Sequence, residues 1–254
     1  MLDNLWFSAE QLFWLEELDP AAIVQVRIAG IGESEPDGHG ILFDQEVPLG
    51  QLAAVRQAYT KCNIWRSWSV YHRIGKHDPI GPVPLFFDID DESSPPNLDN
   101  AYALTAACVD TLESLFAWAN SPSNLRIVFS GHKGFHLELK PVTPLDGQAL
   151  RRKLIQACEA KIPHRFANCF FEHTVLDVLN PIQHSWVRVT GTVNSWRMEE
   201  GQIKLNRIIQ LSVSEFQQLG CRGVLQRAEE ATISYGQGGG RSPLCHFRNA
   251  GNNT

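Results

Sequence analysis

Apolar and polar positions along the chain predict strands and hairpins more often than helices. "AIVQVRIAG" (22–30) has the two-residue period of a half-buried strand. "GILFDQEV" (40–47) is its expected hairpin partner across the polar loop "IGESEPDGH". "NIWRSWSVYHRIG" (63–75) and "VPLFFDID" (83–90) also predict strands, and "LRIVFS" with "GFHLELK" predicts a second hairpin. Strand patterns return in "HTVLDVLN", "SWVRVTG" and "IKLNRIIQLS". Helical spacing marks "PLGQLAAVRQAY" (48–59), residues 147–161 and, most clearly, residues 99–120. Ser8 with Gln11 forms a capping box for a first helix ending before Pro20. No internal repeat is visible. Helices set among hairpins imply an α+β fold with mixed or antiparallel sheets.

Composition supplies ample core for one domain over residues 1–234: 43% of the 254 residues are apolar, with seven Trp and 13 Phe. The last segment, 235–254, is glycine-rich and reads as a flexible terminus or a linker. The net charge of −6 and a pI near 5.8 argue against a general nucleic-acid coat. They leave room for a local basic groove, or for a partner that does the gripping. Six cysteines (62, 108, 158, 169, 221 and 245) form no CxxC pair, so thiols of a reducing compartment are expected and no zinc site is predicted. No stretch has the apolar length of a membrane span, and the first residues carry acids where a signal peptide carries bases. The expectation is a cytoplasmic protein with no membrane partner, nucleoid-associated in a prokaryote or nuclear in a eukaryote.

Two stretches carry candidate chemistry. In "VPLFFDID", strand alternation puts Asp88 and Asp90 on one face and Phe87 and Ile89 on the other. Neighbouring carboxylates repel unless a cation compensates them, and such pairs suit Mg²⁺ or Mn²⁺. The plainer alternative is a strand end running into solvent, since Asp91 and Glu92 follow. Some forty residues later comes "SGHKGFH" (130–136), where a hydroxyl, two imidazoles and an ammonium surround a turn made by two glycines. Such groups can cradle phosphate oxygens. A solvated β-turn would account for Ser130 and the glycines but not for His136 on the returning strand.

In this order the two stretches resemble the archaeo-eukaryotic primase superfamily, in particular the catalytic small subunit and its primase-polymerase relatives. Phe86-Phe87-Asp88-Ile89-Asp90 matches the family's DxD motif, and Ser130 through His136 matches its S-G-x-x-G-x-H motif. "VLD" supplies a third acid at Asp177, and "WVRVTGTVNSW" puts Arg188 at the basic position after it. "WSVYHR" is similar to the segment before the first acids, so the resemblance spans roughly residues 63–211. The zinc cluster that many small subunits carry is missing, because only Cys108 lies between Asp90 and Ser130.

The resemblance implies a template-directed nucleotidyltransferase, a DNA primase or primase-polymerase that makes or extends primers on single-stranded DNA. It implies that Asp88, Asp90 and Asp177 hold two Mg²⁺ or Mn²⁺ ions. Ser130, Lys133 and His136 would bind the triphosphate of an NTP or dNTP, with His132 and Arg188 as further contacts. Bland uses stand beside these: a helix cap or salt bridge for Asp177, and an ordinary surface position for Arg188. Trp65, Trp68 and Tyr71 have two fates, base stacking or core packing. Arg27, Arg66 and Arg73 either line a template path or are solvated. Acidic charge and the missing zinc module point to a second primase subunit, a helicase or another domain as the template's second grip. Two other readings compete, a degenerate nucleotide- or DNA-binding subunit and a metal-dependent nuclease or nucleotide-sugar transferase. Neither of the latter two activities has a use for the second motif.

Overall fold

The computed structural model describes residues 6–7, 19–31, 41–59, 61–68, 70–73, 76–79, 85–120, 124–140, 145–161, 174–178, 186–197 and 202–237. The chain opens with β1 (Trp6–Phe7), then the hairpin β2 (Ile23–Ala29) and β3 (Ile41–Pro48), then α1 (Leu52–Ala58). Next come β4 (Asn63–Ser67), β5 (Tyr71–Arg73), β6 (Lys76–Pro79) and β7 (Leu85–Asp91), followed by α2 (Leu98–Leu115). The second hairpin is β8 (Leu125–Phe129) with β9 (Gly134–Leu139); β10 (Leu145–Asp146) leads into α3 (Gly147–Lys161). The remaining strands are β11 (Thr174–Val178), β12 (Trp186–Arg188), β13 (Val193–Arg197), β14 (Ile203–Arg207) and β15 (Ile209–Leu211). A long helix, α4 (Val213–Gln237), follows them.

Two sheets carry the α+β fold. The smaller is antiparallel, in the order β11-β7-β9-β8-β15. The larger runs β14-β13-β4-β2-β5-β6, with β12 also paired to β4 and β3 to β2. It is mixed, because β13 meets β4 in parallel.

β7 shows why the layers assemble as they do. Leu85, Phe87 and Ile89 face one core with Leu104, Cys108 and Leu112 of α2, Leu154 of α3 and Phe216 of α4. On α2, Ala101, Leu104, Thr105, Cys108 and Leu112 recur at three- and four-residue intervals, which makes one buried stripe. Asn97 caps that helix by accepting the Asp99 N–H at 3.1 Å. Phe86 projects from the other face of β7 into a second core with Val26, Ile28, Ile64 and Trp68. Its ring packs edge-on to Trp68 at 4.7 Å. The strand is thus apolar on both faces until its final residues, where the second face opens.

Several expectations need adjustment. The strand expected over 63–75 is two strands, β4 and β5, because Trp68 leaves the ladder to enter the core. The helix expected through residue 120 ends at Leu115, since Phe116 turns extended, and a 3₁₀ turn covers Ala117–Asn120. β13 and α4 were not anticipated. α4 runs to Gln237, so the first residues of the segment read as a tail are helical. The expected helix between Ser8 and Pro20 and the segment from 238 onward lie outside the described residues. Among the described residues no helix is long and apolar enough to cross a membrane.

Candidate active site

Asp88 and Asp90 share the face of β7 that looks away from the helices, as alternation predicts. Pairing fixes their neighbours: Asp88 stands opposite His136 and Asp90 opposite Gly134 on β9. On the other side of β7, the register of β11 sets position 177 directly across from position 88. Of the third acid, that backbone register is what lies within the described residues. Asp91, which the alternative of a strand end in solvent would expose, is fully buried on the helix side. It accepts the Ser93 and Asn97 N–H groups and the Asn100 side-chain amide.

The hairpin turn explains the two glycines of its motif. Gly131 has φ +87°, and a Cβ there would fall 2.8 Å from the Cβ of Asn194. Gly134 lies so close to β7 that a Cβ would come within 2.0 Å of the Ile89 carbonyl oxygen and 2.1 Å of an Asp90 carboxylate oxygen. The Ser130 hydroxyl closes the turn, donating to the Gly134 carbonyl and accepting the Gly134 N–H. The Asp91 N–H donates to the Lys133 carbonyl at 3.1 Å and ties the turn to the end of β7.

Charge in this corner is unevenly compensated. Asp90 is pushed up to about 6, by burial first and by the Asp88 charge next, against the pull of Lys133. Lys133 reaches Asp90 at 3.2 Å and Glu92 at 2.5 Å. Burial works against its charge, yet Asp90 and Glu92 outweigh burial and hold its pKa above the usual lysine value. His136 Nε2 lies 3.5 Å from Asp88 Oδ1, and the ring packs 4.8 Å from Phe86. Burial drives its pKa down to about 4, so the imidazole is neutral and the contact is not an ion pair. His132 also falls to about 4, through burial and then the charges of Arg188 and Lys133. It stacks on Trp196 at 4.0 Å. In the ligand-free protein both histidines are therefore neutral rings at pH 7.

The larger sheet supplies the facing wall. Arg27, Trp65 and Arg188 lie side by side across β2, β4 and β12. Arg188 rests over Trp65 at 4.8 Å, and Arg27 rests over Trp186 at 4.4 Å while pairing with Asp44. Asn63 fixes the row from beneath. Its amide donates to the Ser195 carbonyl and hydroxyl, and its oxygen accepts the Ser195 N–H and an Arg188 N–H. Trp68 and Tyr71 are buried, which leaves Trp65 as the aromatic of that group on the cavity wall. Arg66 is buried and donates to the Ser67 carbonyl. The side chain of Arg73 lies outside the described residues.

Between the walls lies a cavity of about 370 Å³, lined by Asp88, Asp90, Ser130, His132, Lys133, His136 and Arg188 together with Trp65, Phe86, Trp186, Val187 and Asn194. Every described side chain proposed from the sequence for catalysis or nucleotide binding is on this lining. Trp186 and Asn194 were missed, because their strands reach the cavity only through the pairing of the larger sheet. The donor set suits a hard divalent cation: two carboxylates on one face, one of them strained upward to about 6, with a third acid in register. Among the described residues, however, no group of three His, Cys, Asp or Glu side chains is assembled as a metal site. Compared with known protein families, curated proteins and solved structures, the chain matches none.

Proposed function

We propose that the chain is a template-directed nucleotidyltransferase that makes or extends primers on single-stranded DNA. The observation that carries this reading is the adjacency of β7 and β9, which brings the paired aspartates and the S-G-x-x-G-x-H turn to one cavity opposite cations and aromatic rings. Asp88, Asp90 and Asp177 would hold Mg²⁺ or Mn²⁺. Bound there, such ions acidify an attacking 3′-hydroxyl and stabilise departing pyrophosphate.

The chain's own groups position the nucleotide. Lys133 would exchange Asp90 for a triphosphate oxygen, a movement of a single flexible side chain. Arg188 brings a second cation from the facing wall, already oriented by Asn63 and Trp65. Neutral His136 and His132 would act as hydrogen-bond donors, which suits phosphate oxygens without adding charge. The Ser130 hydroxyl is engaged in the turn, so its part is to shape the cradle. Trp186, half-buried on the cavity wall, would be the ring that meets the base. With a net charge of −6, the protein would share the template with a second subunit, a helicase or a further domain.

The test is extension of labelled nucleotide on primed and bare single-stranded DNA with Mg²⁺ or Mn²⁺. Longer, template-dependent products that vanish in a folded Asp88→Ala protein support the proposal. Nucleotide binding without extension would replace it with a binding subunit, and template shortening would replace it with a nuclease.

A further inference from the structure

Two asparagines stand on the wall of the larger sheet, and they differ in one respect. Asn63 uses both ends of its amide, as described above. Asn194, on β13, does not. It is 3% exposed and lines the cavity. Its Nδ2 donates to the Ser130 carbonyl at 2.9 Å. Because that carbonyl can only accept, the amide cannot be turned around, and Oδ1 is the atom left over. Among the described residues Oδ1 is a buried acceptor with no hydrogen-bond partner. A buried amide oxygen in that condition is unfavourable and calls for a donor from elsewhere.

The missing donor narrows the ligand. A triphosphate at neutral pH carries acceptors only, and it belongs with Lys133 and Arg188. A base belongs with the half-buried ring of Trp186. Asn194 joins the two walls, bonded to the phosphate turn on one side and next in sequence to Ser195 on the other, whose partner Asn63 accepts from Arg188. The part of a nucleotide that falls between phosphate and base is the sugar, whose donors are its hydroxyls. We propose that Asn194 Oδ1 accepts a hydrogen bond from a sugar hydroxyl of the bound nucleotide and so sets the protein's choice between sugars. The inference rests on the nucleotide reading of the cavity. A site that hydrogen-bonds a substrate hydroxyl discriminates strongly against the analogue without it, because its own polar atom is then left unpaired. Asn194 acts in recognition, not as a reacting group.

Binding of ATP, 2′-deoxyATP and 3′-deoxyATP to the full chain, with Mg²⁺ and without template, tests this directly. The expected result is at least a tenfold weaker affinity for one deoxy analogue. In Asn194→Ala, checked by its melting curve, that difference should shrink to about twofold or less. Loss at the 2′ position would mark a ribonucleotide preference, and loss at the 3′ position a grip on the end to be extended; either supports the inference. Equal affinities in the unaltered protein overturn it without recourse to any variant. A sugar difference that survives in folded Asn194→Ala also overturns it, as does a variant that alters discrimination between ATP and UTP instead. In these cases nucleotides still bind and the proposed function stands. If no triphosphate binds the unaltered protein, that function fails and this inference fails with it.

Discussion

The two sheets that meet at the cavity hold their site residues by different means. In the five-stranded sheet the support is backbone: Gly134 lies flush against β7, and the Asp91 N–H clamps the turn at Lys133. In the eight-stranded sheet the support is side chain on side chain, with Asn63 beneath Arg188, Arg188 over Trp65, and Asp44 beside Arg27 over Trp186. Close-packed backbone leaves no room for added atoms, whereas a side-chain network can be weakened by degrees. The first sheet should therefore fail as a unit and the second should be tunable.

Gly134→Ala puts this to its harshest test. The added methyl would overlap the Ile89 carbonyl of β7 and the Asp90 carboxylate. We expect a loss of about 3–5 kcal/mol, read as a collapse of the urea midpoint or failure to obtain folded protein. A mild loss would show that the hairpin can drift from β7 and that the backbone lock does not exist.

Asn63→Ala removes the amide that serves both Ser195 and Arg188. Its expected cost is about 2–3 kcal/mol by denaturant titration, together with weaker triphosphate binding. If stability falls but binding does not, Arg188 does not depend on Asn63 for its position.

Trp65→Leu should act on binding more than on folding. Loss of the ring beneath Arg188 is expected to raise KM for nucleotides about tenfold with kcat little changed, and equally for all four bases. A fall in kcat alone would move Trp65 from the grip to the reaction.

The smallest effect concerns charge in the first sheet. The Asp90 carboxyl is ordinarily near 3.8 and is pushed up to about 6 on folding. Between those values the folded state keeps a proton that the unfolded chain has released, so stability falls as pH rises through that window and levels off above it. In metal-free protein, Asp90→Asn should match the melting temperature of the unaltered chain near pH 4 and exceed it by about 2–4 °C at pH 7. A flat difference across pH would mean that neither burial nor the Asp88 charge raises the Asp90 carboxyl.

Legibility followed periodicity. β2 and β3, β8 and β9, and the aspartate face of β7 could be read because one face of each is polar or half-buried. α3 keeps the limits its helical spacing predicts. β13 escaped because Val193, Asn194 and Ser195 are all buried, which erases the two-residue alternation. α4 escaped because Gly220, at φ 64° and ψ 175°, interrupts it and its spaced apolar residues look like loop. Asp88, Asp90 and the turn announced themselves by motif. Asn63, Trp186 and Asn194 did not, since a residue that works through a partner more than sixty positions away leaves no local pattern.

Asp91 has a consequence of its own. By gathering the N–H groups of Ser93 and Asn97, it makes the last residue of the acid-bearing strand the foundation of the link to α2. That link cannot breathe on its own, because its opening would strip a buried carboxylate of its donors. Strand, link and helix start should open as one cooperative unit, with the amides of Ser93 and Asn97 exchanging as slowly as the strand beside them.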